Sequence, residues 1–395
     1  MYEAKFPKIF DHHNHLSFYL LLASSPSLEH TFAFKEARQF FYSLSDEKLN
    51  IVTGWHSDRY SLSNADLEDC PPLIVVNFCL HGFRFNEAAR RILTEADIAF
   101  DPEDLAQSER IMPDILSFVG RSRPLSEAGK AWPKVREKWE AQGLYGMADM
   151  LSLYPDIDCG SFVLERWEHP QLRADWKPSE KTTGIKLFND GAVGARTAAI
   201  SAGFRGYGQP ILTYSDEQLE ERMRFCFKLL PKLAMHTIGD LAIGQALRVY
   251  ESLKPQLEAE GIVPYLRLEH CQFITLEQAQ AAKRLGIVLS MQPNFNGDSV
   301  DYYDRLGSSL GAVNNPLRMV IDKAGFVPGE DLLFGSDGMP SGLVNALQNA
   351  LFPPYEGQRL SAEELLAGYK ADAERGTVTV YIDEANKKVL SADQA

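Results

Sequence analysis

Short apolar runs alternate with helix-patterned segments through the second half of the chain. Three of the helical segments open with a capping-box pair: Ser215 with Gln218, Thr275 with Gln278, and Ser361 with Glu364. The second of these helices is expected to end at Gly286. Alternation of this kind predicts parallel strands joined by crossover helices, arranged either as a doubly wound sheet or as a closed barrel.

Eight apolar runs are predicted as the parallel strands. In chain order they are PKIFDHHNH (7–15), LYGMADM (144–150), GSFVLERW (160–167), GIKLF (184–188), LAMH (233–236), YLRLEH (265–270), GIVLSM (286–291) and LLFGSD (332–337). Two further runs, NIVTGW (50–55) and LIVVNFCL (73–80), fit an inserted substructure better. We therefore predict three parts: a barrel domain of residues 1–19 and 141–375, an insertion over 20–140, and a short C-terminal hairpin or tail over 376–395. A doubly wound sheet stays open.

The composition narrows the class of protein. Of the 395 residues 45% are hydrophobic and 24% charged, so the chain can bury a substantial core. The formal net charge of −14 argues against non-specific binding to nucleic acid or to an anionic membrane, because both need basic patches. No secretory signal is evident and the five cysteines are scattered without a CxxC pair, so a reduced, cytoplasmic protein is expected. A homodimer is left open.

Residue types that commonly bind metals recur where the predicted strands end. The stretch FDHHNH places His13 and His15 two positions apart, so on a strand both imidazoles face the same side. Three more residues of this kind end later strands: His236, His270 and Asp337. In parallel α/β folds, ligands bind at the carboxyl ends of the strands. Histidine and carboxylate are good ligands for divalent metals, so a metal site is predicted there.

Each of these residues also has an ordinary structural interpretation. A single histidine at a strand end is most often a polar residue satisfied by hydrogen bonds, and Asp337 in GSDG matches a turn. Lys186, inside the fourth predicted strand, would be unwelcome beside a cation and could extend out of the barrel instead. Five ligand-type residues at predicted strand ends are much harder to obtain by chance. The metal site is therefore the favoured interpretation.

An ordered set of motifs carries a family resemblance. The motifs are HHNH, KLFNDGAVGARTA, MHTIGDLAI, RLEHCQ, SMQPNF and FGSDGMP. The inserted stretch adds a histidine followed five residues later by an asparagine, His81 and Asn86. Together these motifs resemble the metal-dependent amidohydrolase superfamily, in the branch called amidohydrolase family 3. The resemblance implies a distorted (β/α)8 TIM barrel with a centre of two divalent metal ions, usually zinc.

The resemblance also implies roles for the residues of the predicted site. The ligands would be His13, His15 and Asp337 for the more buried ion, and His236 and His270 for the second. Lys186 would bridge both ions as a carbamate formed with CO2, an anion with two oxygens. A metal-bridging hydroxide would attack the substrate, and Asp337 would take and return the proton. The implied activity is hydrolysis of a carbon–nitrogen bond, other than a peptide bond, in a small molecule.

Two carboxylates could orient the imidazoles of this site. Asp240 lies four residues beyond His236, and Glu269 lies beside His270. Either could equally be an ordinary carboxylate, Asp240 at a helix start and Glu269 in a strand. Both roles therefore stay open at this point.

Three residues are candidates for contact with the substrate: His81, Arg196 and Arg318. Arg196 in GARTA could pair with a substrate carboxylate or could tie down the loop after the fourth strand. His81 in the insertion could contact the substrate from above the barrel mouth, or could be a loop histidine without a role.

The chain departs from the family at its ends, and other functions stay open. Family members usually carry a small β-sandwich built from both ends of the chain. Here the HxH pair comes at residue 13 and the last twenty residues suffice for one hairpin, so most of that sandwich is expected to be missing. The alternatives are a mononuclear deaminase, a lactonase or phosphotriesterase-type hydrolase, and a non-catalytic barrel that binds a ligand. Lys186 argues against the deaminase, because a single ion needs no bridge.

Overall fold

The chain divides into two compact units. The computed structural model describes residues 1–56, 59–77, 82–99, 105–122, 125–170, 176–391 and 394, excepting the side chains of 105–109. The first unit comprises Met1–Leu16 with Pro133–Ala395, and the second comprises Ser17–Trp132. Each unit has its own sheet.

The strands of the described residues are, in chain order, β1 (Tyr2–Asn14), β2 (Asn50–Trp55), β3 (Leu73–Asn77), β4 (Phe83–Phe85), β5 (Leu144–Asp149), β6 (Val163–Glu168), β7 (Gly184–Phe188), β8 (Lys232–Thr237), β9 (Tyr265–His270), β10 (Val288–Met291), β11 (Leu332–Phe334), β12 (Asp372–Asp383) and β13 (Lys388–Ser391). The helices are α1 (Leu16–Ser24), α2 (Phe34–Phe41), α3 (Glu87–Glu95), α4 (Leu105–Arg121), α5 (Leu125–Ala141), α6 (Asp216–Leu229), α7 (Asp240–Ala259), α8 (Leu276–Leu285), α9 (Asp298–Asp301), α10 (Tyr303–Val313), α11 (Leu317–Asp322), α12 (Leu343–Leu351) and α13 (Ala362–Gly368). None of these helices, within the described residues, is long and apolar enough to cross a bilayer.

The three predicted capping boxes are confirmed at the starts of α6, α8 and α13. In each, the side chain of Ser215, Thr275 or Ser361 accepts a hydrogen bond from the backbone N–H three residues later. This bond satisfies one of the N–H groups that have no partner within the helix. The predicted end of α8 is also confirmed, since Gly286 adopts the left-handed conformation with φ 71°.

Eight strands pair in parallel in the order in which they occur along the chain. Across the sheet the order is β1-β5-β6-β7-β8-β9-β10-β11, and these are the eight predicted strands. A doubly wound sheet would reverse its order at a switch point, so that alternative does not describe this topology. The fold is a mixed α/β fold in which a parallel sheet carries the predicted ligands.

The parallel sheet curls strongly. The evidence is that residues on strands far apart in the strand order are in contact. β1 and β9 are separated by β8, β7, β6 and β5, which amounts to about 24 Å in a flat sheet. Yet Nδ1 of His13 lies 2.6 Å from Oε2 of Glu269. Just beyond β11, the backbone N–H groups of Ser336 and Asp337 donate to the carbonyl of His13 at 3.1 and 2.7 Å. The end of the last parallel strand therefore reaches the end of the first.

Gly335 provides a test of this close approach. A Cβ atom at Gly335 would clash with the Cβ and the backbone nitrogen of His13. Gly335→Ala is therefore expected to lower the free energy of unfolding by ~1–3 kcal/mol, measured by urea denaturation. Gly357→Ala is the control, because nothing lies within 4 Å of a Cβ there. Equal stability of the two variants would contradict the contact between these strand ends.

The first half of β1 pairs with the C-terminal hairpin. Residues 2–7 run antiparallel to residues 377–382 of β12, and β12 runs antiparallel to β13. This pairing extends the sheet of the first unit to ten strands. It also explains why β1 begins at Tyr2, whereas the sequence pattern predicted a start at residue 7.

The second unit has a three-stranded sheet of its own. β2 and β3 pair in parallel, and β3 and β4 pair in antiparallel fashion. The two apolar runs predicted for the insertion form β2 and β3, although residues 78–80 of the second run lie outside the described residues. The core of this unit includes Phe41, Trp55 and Leu67.

Candidate metal centre

Four imidazoles form a continuous row at the carboxyl ends of the parallel strands. Their order along the row is His15, His13, His270 and His236, and the distances between successive ring centroids are 5.4, 4.7 and 4.4 Å. His13, His236 and His270 are at most 3% exposed. The structure thus brings together all four histidines that the sequence placed at strand ends.

Asp337 lies at one end of this row. Its Oδ1 is 2.9 Å from Nε2 of His15 and 3.5 Å from Nε2 of His13. Ligand atoms of His13, His270 and Asp337 lie within 4.8 Å of one another, a grouping that could hold a metal ion. Burial acts to raise the pKa of Asp337, but the hydrogen bond with His15 and the neighbouring His13 and Lys186 lower it to about 2. The carboxylate is therefore ionised at neutral pH.

Two residues of this grouping have left-handed backbone. The φ angle is 70° at His270 and 55° at Asp337, conformations that cost a non-glycine residue of order 1–3 kcal/mol. Tertiary hydrogen bonds hold both: the N–H of Cys271 donates to the carbonyl of Thr237 at 2.9 Å, and the N–H of Asp337 donates to that of His13. The turns that follow β9 and β11 therefore set the directions of these two side chains.

Lys186 is buried in β7 beside the row. Its exposed fraction is 0%, and its Nζ lacks a hydrogen-bond partner among the described residues. Burial lowers the pKa of Lys186 to about 8, although Glu269 and Asp337 act to raise it. Its charge in turn lowers the pKa of His13 and of His270. A buried ammonium without a hydrogen bond is unfavourable, which indicates that a further group interacts with the amine of Lys186.

Oxygen atoms of the protein determine which ring nitrogen carries the proton in the imidazoles of His13 and His236. Oε2 of Glu269 lies 2.6 Å from Nδ1 of His13, which leaves Nε2 of that ring facing Asp337. Nε2 of His236 lies 3.0 Å from the carbonyl oxygen of Gly191. Since a carbonyl can only accept, this nitrogen carries the proton and Nδ1 keeps its lone pair. Glu269 was predicted as an orienting residue beside His270; its contact is with the imidazole of His13.

Asp190 is a buried residue of the site that the sequence analysis missed. Its Oδ1 lies 3.5 Å from Nε2 of His236. Its carboxylate also accepts hydrogen bonds from the backbone N–H groups of Ala199, Ile238 and Gly239 at 3.0, 2.9 and 2.8 Å. It therefore fixes the turn directly beyond His236. The signal was its place just after the strand that carries Lys186.

Asp11 was missed as well, although it lies in FDHHNH itself. Its carboxylate accepts hydrogen bonds from the N–H of His13 at 3.2 Å and from the side-chain amide of Asn14 at 2.8 Å. It also accepts from the N–H of Ser336 at 2.9 Å and from the hydroxyl of that residue. Asp11 thus joins the HxH segment to the segment that carries Asp337.

Asp240 lies outside the row of imidazoles. Asp240 begins α7, and its Oδ1 accepts a hydrogen bond from the N–H of Ser201 at 2.8 Å. The carboxylate that lies next to His236 is that of Asp190 and not that of Asp240, because β7 and β8 are neighbours in the sheet. His81 lies outside the described residues, so its substrate contact stays a prediction.

The two arginines predicted to bind substrate are engaged by protein groups. Nη2 of Arg196 pairs with Asp304 at 2.7 Å and Nη1 donates to the carbonyl of Arg205 at 2.9 Å. Arg196 therefore ties down the loop after β7, which is the second of its two predicted roles. Arg318 lies in α11, where Nη1 donates to the carboxylate of Glu364 and Nε to that of Asp322. Substrate contacts of either residue stay predictions.

Two aromatic side chains border the inner imidazoles. The ring of Phe295 stacks on His270 with a centroid distance of 5.8 Å and an interplanar angle of 6°. The ring of Phe188 lies 5.6 Å from that of His236. These side chains supply apolar walls that the sequence analysis did not assign.

The donor set fits a divalent metal ion. Burial and the neighbouring imidazoles hold the pKa of His270 well below its usual value, and burial lowers that of His13 to about 4, so both rings are neutral as ligation requires. Nδ1 of His270 lacks a hydrogen-bond partner among the described residues. Buried polar atoms without partners are rare, and imidazole and carboxylate are the ligand types of zinc and similar ions.

Solved structures with this fold are described as metal-dependent hydrolases. One, an uncharacterized metal-dependent hydrolase from Pyrococcus horikoshii OT3, has a TM-score of 0.63 and 18% identity, over 93% of this chain and 80% of the other. Another, from Pyrococcus furiosus, has the same TM-score and identity, over 100% and 85%. At such identity the likeness establishes the fold, which is of the kind found in metal-dependent hydrolases.

Sequence comparison establishes the family. The Amidohydro_3 model of the amidohydrolase family matches residues 155–348, a span that includes Lys186, His236, His270 and Asp337. The "Putative amidohydrolase YtcJ" of Bacillus subtilis (strain 168) is 29% identical over 177 residues, which are 44% of this chain and 31% of that protein. The match therefore spans about a third of that curated relative. The chain belongs to the amidohydrolase family.

Proposed function

We propose that this chain is a metal-dependent hydrolase that cleaves a carbon–nitrogen bond, other than a peptide bond, in a small molecule. The observation that carries the proposal is the row of four imidazoles that ends at the ionised carboxylate of Asp337. Membership of the amidohydrolase family supports hydrolysis as the class of reaction.

The proposed centre holds two divalent ions, with zinc as the closest match to the ligand types. The residues that would hold them are His13, His15 and Asp337 for one ion, and His236 and His270 for the other. Lys186, as a carbamate, would contribute to both. Its buried Nζ and its pKa of about 8 support this role, because only a neutral amine reacts with CO2. Divalent ions in such a site lower the pKa of water and polarise a substrate carbonyl.

Asp337 would perform the proton transfer. Its pKa of about 2 means that the carboxylate carries no proton at neutral pH, which is the state needed before it takes one from the attacking water. The departing nitrogen needs a proton because an amine anion is a poor leaving group, and the same carboxyl group can deliver it. The contacts of Oδ1 with His13 and His15 support this role, because they hold the carboxylate beside the proposed metal ligands.

The proposal includes a closed (β/α)8 barrel with the insertion after its first strand. The hydrogen bonds from Ser336 and Asp337 to the carbonyl of His13 support closure, as does the contact between His13 and Glu269. In a barrel, all strands end around one mouth. This arrangement accounts for a ligand set that comes from strands far apart in sequence.

Elemental analysis of the purified protein tests the number of ions. We expect two equivalents of divalent metal per chain, with loss of hydrolysis on chelation and recovery on adding zinc. One equivalent would support a mononuclear deaminase, and none, with no activity regained, would support a binding protein.

The bond that is cleaved requires a substrate panel on the metal-replete protein. The panel comprises N-acyl amines, N-substituted formamides, cyclic amides, lactones, phosphotriesters and deaminase substrates. Turnover of amides in preference to the others is the expected result. A preference for lactones or phosphotriesters would replace the amide assignment and leave the metal centre intact.

A further inference from the structure

Arg267 is a buried charged residue for which the proposed chemistry has no role. It lies in β9, two residues before Glu269, and is 1% exposed. Its Nε donates to Oε1 of Glu269, and Nη2 donates to the carbonyl of His12 at 3.0 Å. The guanidinium also lies over the ring of Trp167, 4.5 Å from its centroid, and 3.0 Å from the sulfur of Met150. Contacts with four residues therefore hold the guanidinium of Arg267 in place.

These hydrogen bonds form a circuit that includes His13. One oxygen of the Glu269 carboxylate accepts from Arg267, and the other lies 2.6 Å from Nδ1 of His13. Arg267 at the same time holds the carbonyl of His12, the residue before His13. One guanidinium thus constrains both the backbone and the ring of His13, across two strands that are not neighbours in the sheet.

A contribution to stability would not require a charged pair at this place. Both Arg267 and Glu269 are fully buried, and Trp167 and Met150 next to them are apolar. Replacing a buried ion pair with apolar residues of similar volume is often neutral or stabilising, because two charges need not be desolvated. A guanidinium supplies something that apolar side chains cannot, namely donors in fixed directions within one plane.

We propose that Arg267 is a positioning residue for the metal centre, which fixes the Glu269 carboxylate and the His12 backbone so that His13 presents Nε2 to the ions. This inference rests on the proposed function. Nδ1–H of His13 donates to Glu269, so the lone pair of the ring lies on Nε2, the atom that faces Asp337. Arg267 itself acts only through Glu269 and the backbone. Such outer partners typically contribute 10–100-fold to metal affinity.

The decisive variant removes the whole ion pair. In Arg267→Met combined with Glu269→Leu, the metal-free protein is expected to melt no lower than the metal-free wild type. Its zinc affinity is expected to fall about 10–100-fold, with an altered visible spectrum of the cobalt-substituted protein. Arg267→Lys keeps the charge but lacks the planar pair of donors, so an intermediate loss is expected. Should the double variant not fold, the lysine variant carries the comparison.

Arg224→Met is the matched control. Arg224 also pairs with two carboxylates, those of Glu220 and Glu260, but lies on α6. Its replacement is expected to leave zinc affinity and the cobalt spectrum unchanged. If the Arg267 variants keep the wild-type affinity and spectrum, the inference is overturned, and reduced stability with unchanged affinity would overturn it equally by making the pair merely structural.

A readout that needs no metal separates this inference from the proposed function. Absence of metal from the wild type would defeat the proposed function. The 15N chemical shifts of the His13 ring in the metal-free protein still test the circuit. We expect the proton on Nδ1 in the wild type and a mixture of tautomers in the double variant. The same tautomer in both proteins would overturn the role of Arg267.

Discussion

Asp337→Asn is expected to lower kcat by about 10²–10⁴-fold while the protein stays folded. Asparagine has the same shape, and its side-chain oxygen can still accept a hydrogen bond from His15, which lies 2.9 Å from Oδ1 in the wild type. It cannot take up a proton at neutral pH, so the proposed transfer to the leaving nitrogen would be lost. Steady-state kinetics at saturating zinc, on the best substrate of the panel, measure the effect.

Two further measurements separate this loss from weaker metal binding. Bound metal is counted under the assay conditions, and the loss of kcat should persist when the variant is fully loaded. Asp301→Asn is the control, since Asp301 is an exposed acid on α9 that has no role in the proposed chemistry. Full activity in metal-loaded Asp337→Asn would contradict the proton transfer, whatever its effect on metal affinity.

The parts of the fold that local sequence determines were predictable. A capping box depends on residues three positions apart, so Ser215, Thr275 and Ser361 could be assigned without the structure. The parallel strands were predictable because each is a short apolar run between helix signals. The four histidines followed from one rule, that ligands lie where parallel strands end, and the structure brings their rings into one row.

Contacts across the sheet were not predictable from spacing. Asp240 was selected because it lies four residues from His236, yet the chain turns at Gly239 and the acid reaches Ser201. Asp190, two residues beyond the end of the neighbouring strand β7, takes the place beside His236 because β7 and β8 pair side by side.

The partner of Glu269 shows the same limit. It was a candidate for orienting an imidazole of the site because it lies beside His270, but adjacent residues of a strand face opposite sides. Its carboxylate contacts His13, which lies on β1, a strand that is not adjacent to β9. Only the curl of the sheet brings these two residues together.

Lys186→Met is expected to separate the stability of the metal-free protein from its ability to hold metal. Methionine fills a similar volume, and it removes an amine that is buried without a hydrogen-bond partner among the described residues. The metal-free variant should therefore be as stable as the metal-free wild type, or more stable by ~1–3 kcal/mol in urea denaturation. It should bind no more than one equivalent of metal and lose hydrolysis, because the proposed bridging carbamate cannot form.

The metal dependence of stability decides whether Lys186 is a ligand. Ions that bind only the folded wild type should raise its free energy of unfolding, by about 2.7 kcal/mol at a free concentration one hundred times Kd, and this increment should shrink in Lys186→Met. Nζ of Lys186 lies over the ring of Phe188, 5.2 Å from its centroid, and Nζ of Lys232, also in a strand, lies over that of Tyr265 at 5.7 Å. Lys232→Met is therefore the matched control, and it is expected to keep both metal equivalents and the full increment. A Lys186→Met protein that still binds two equivalents would place this lysine outside the metal centre, since a thioether cannot form a carbamate.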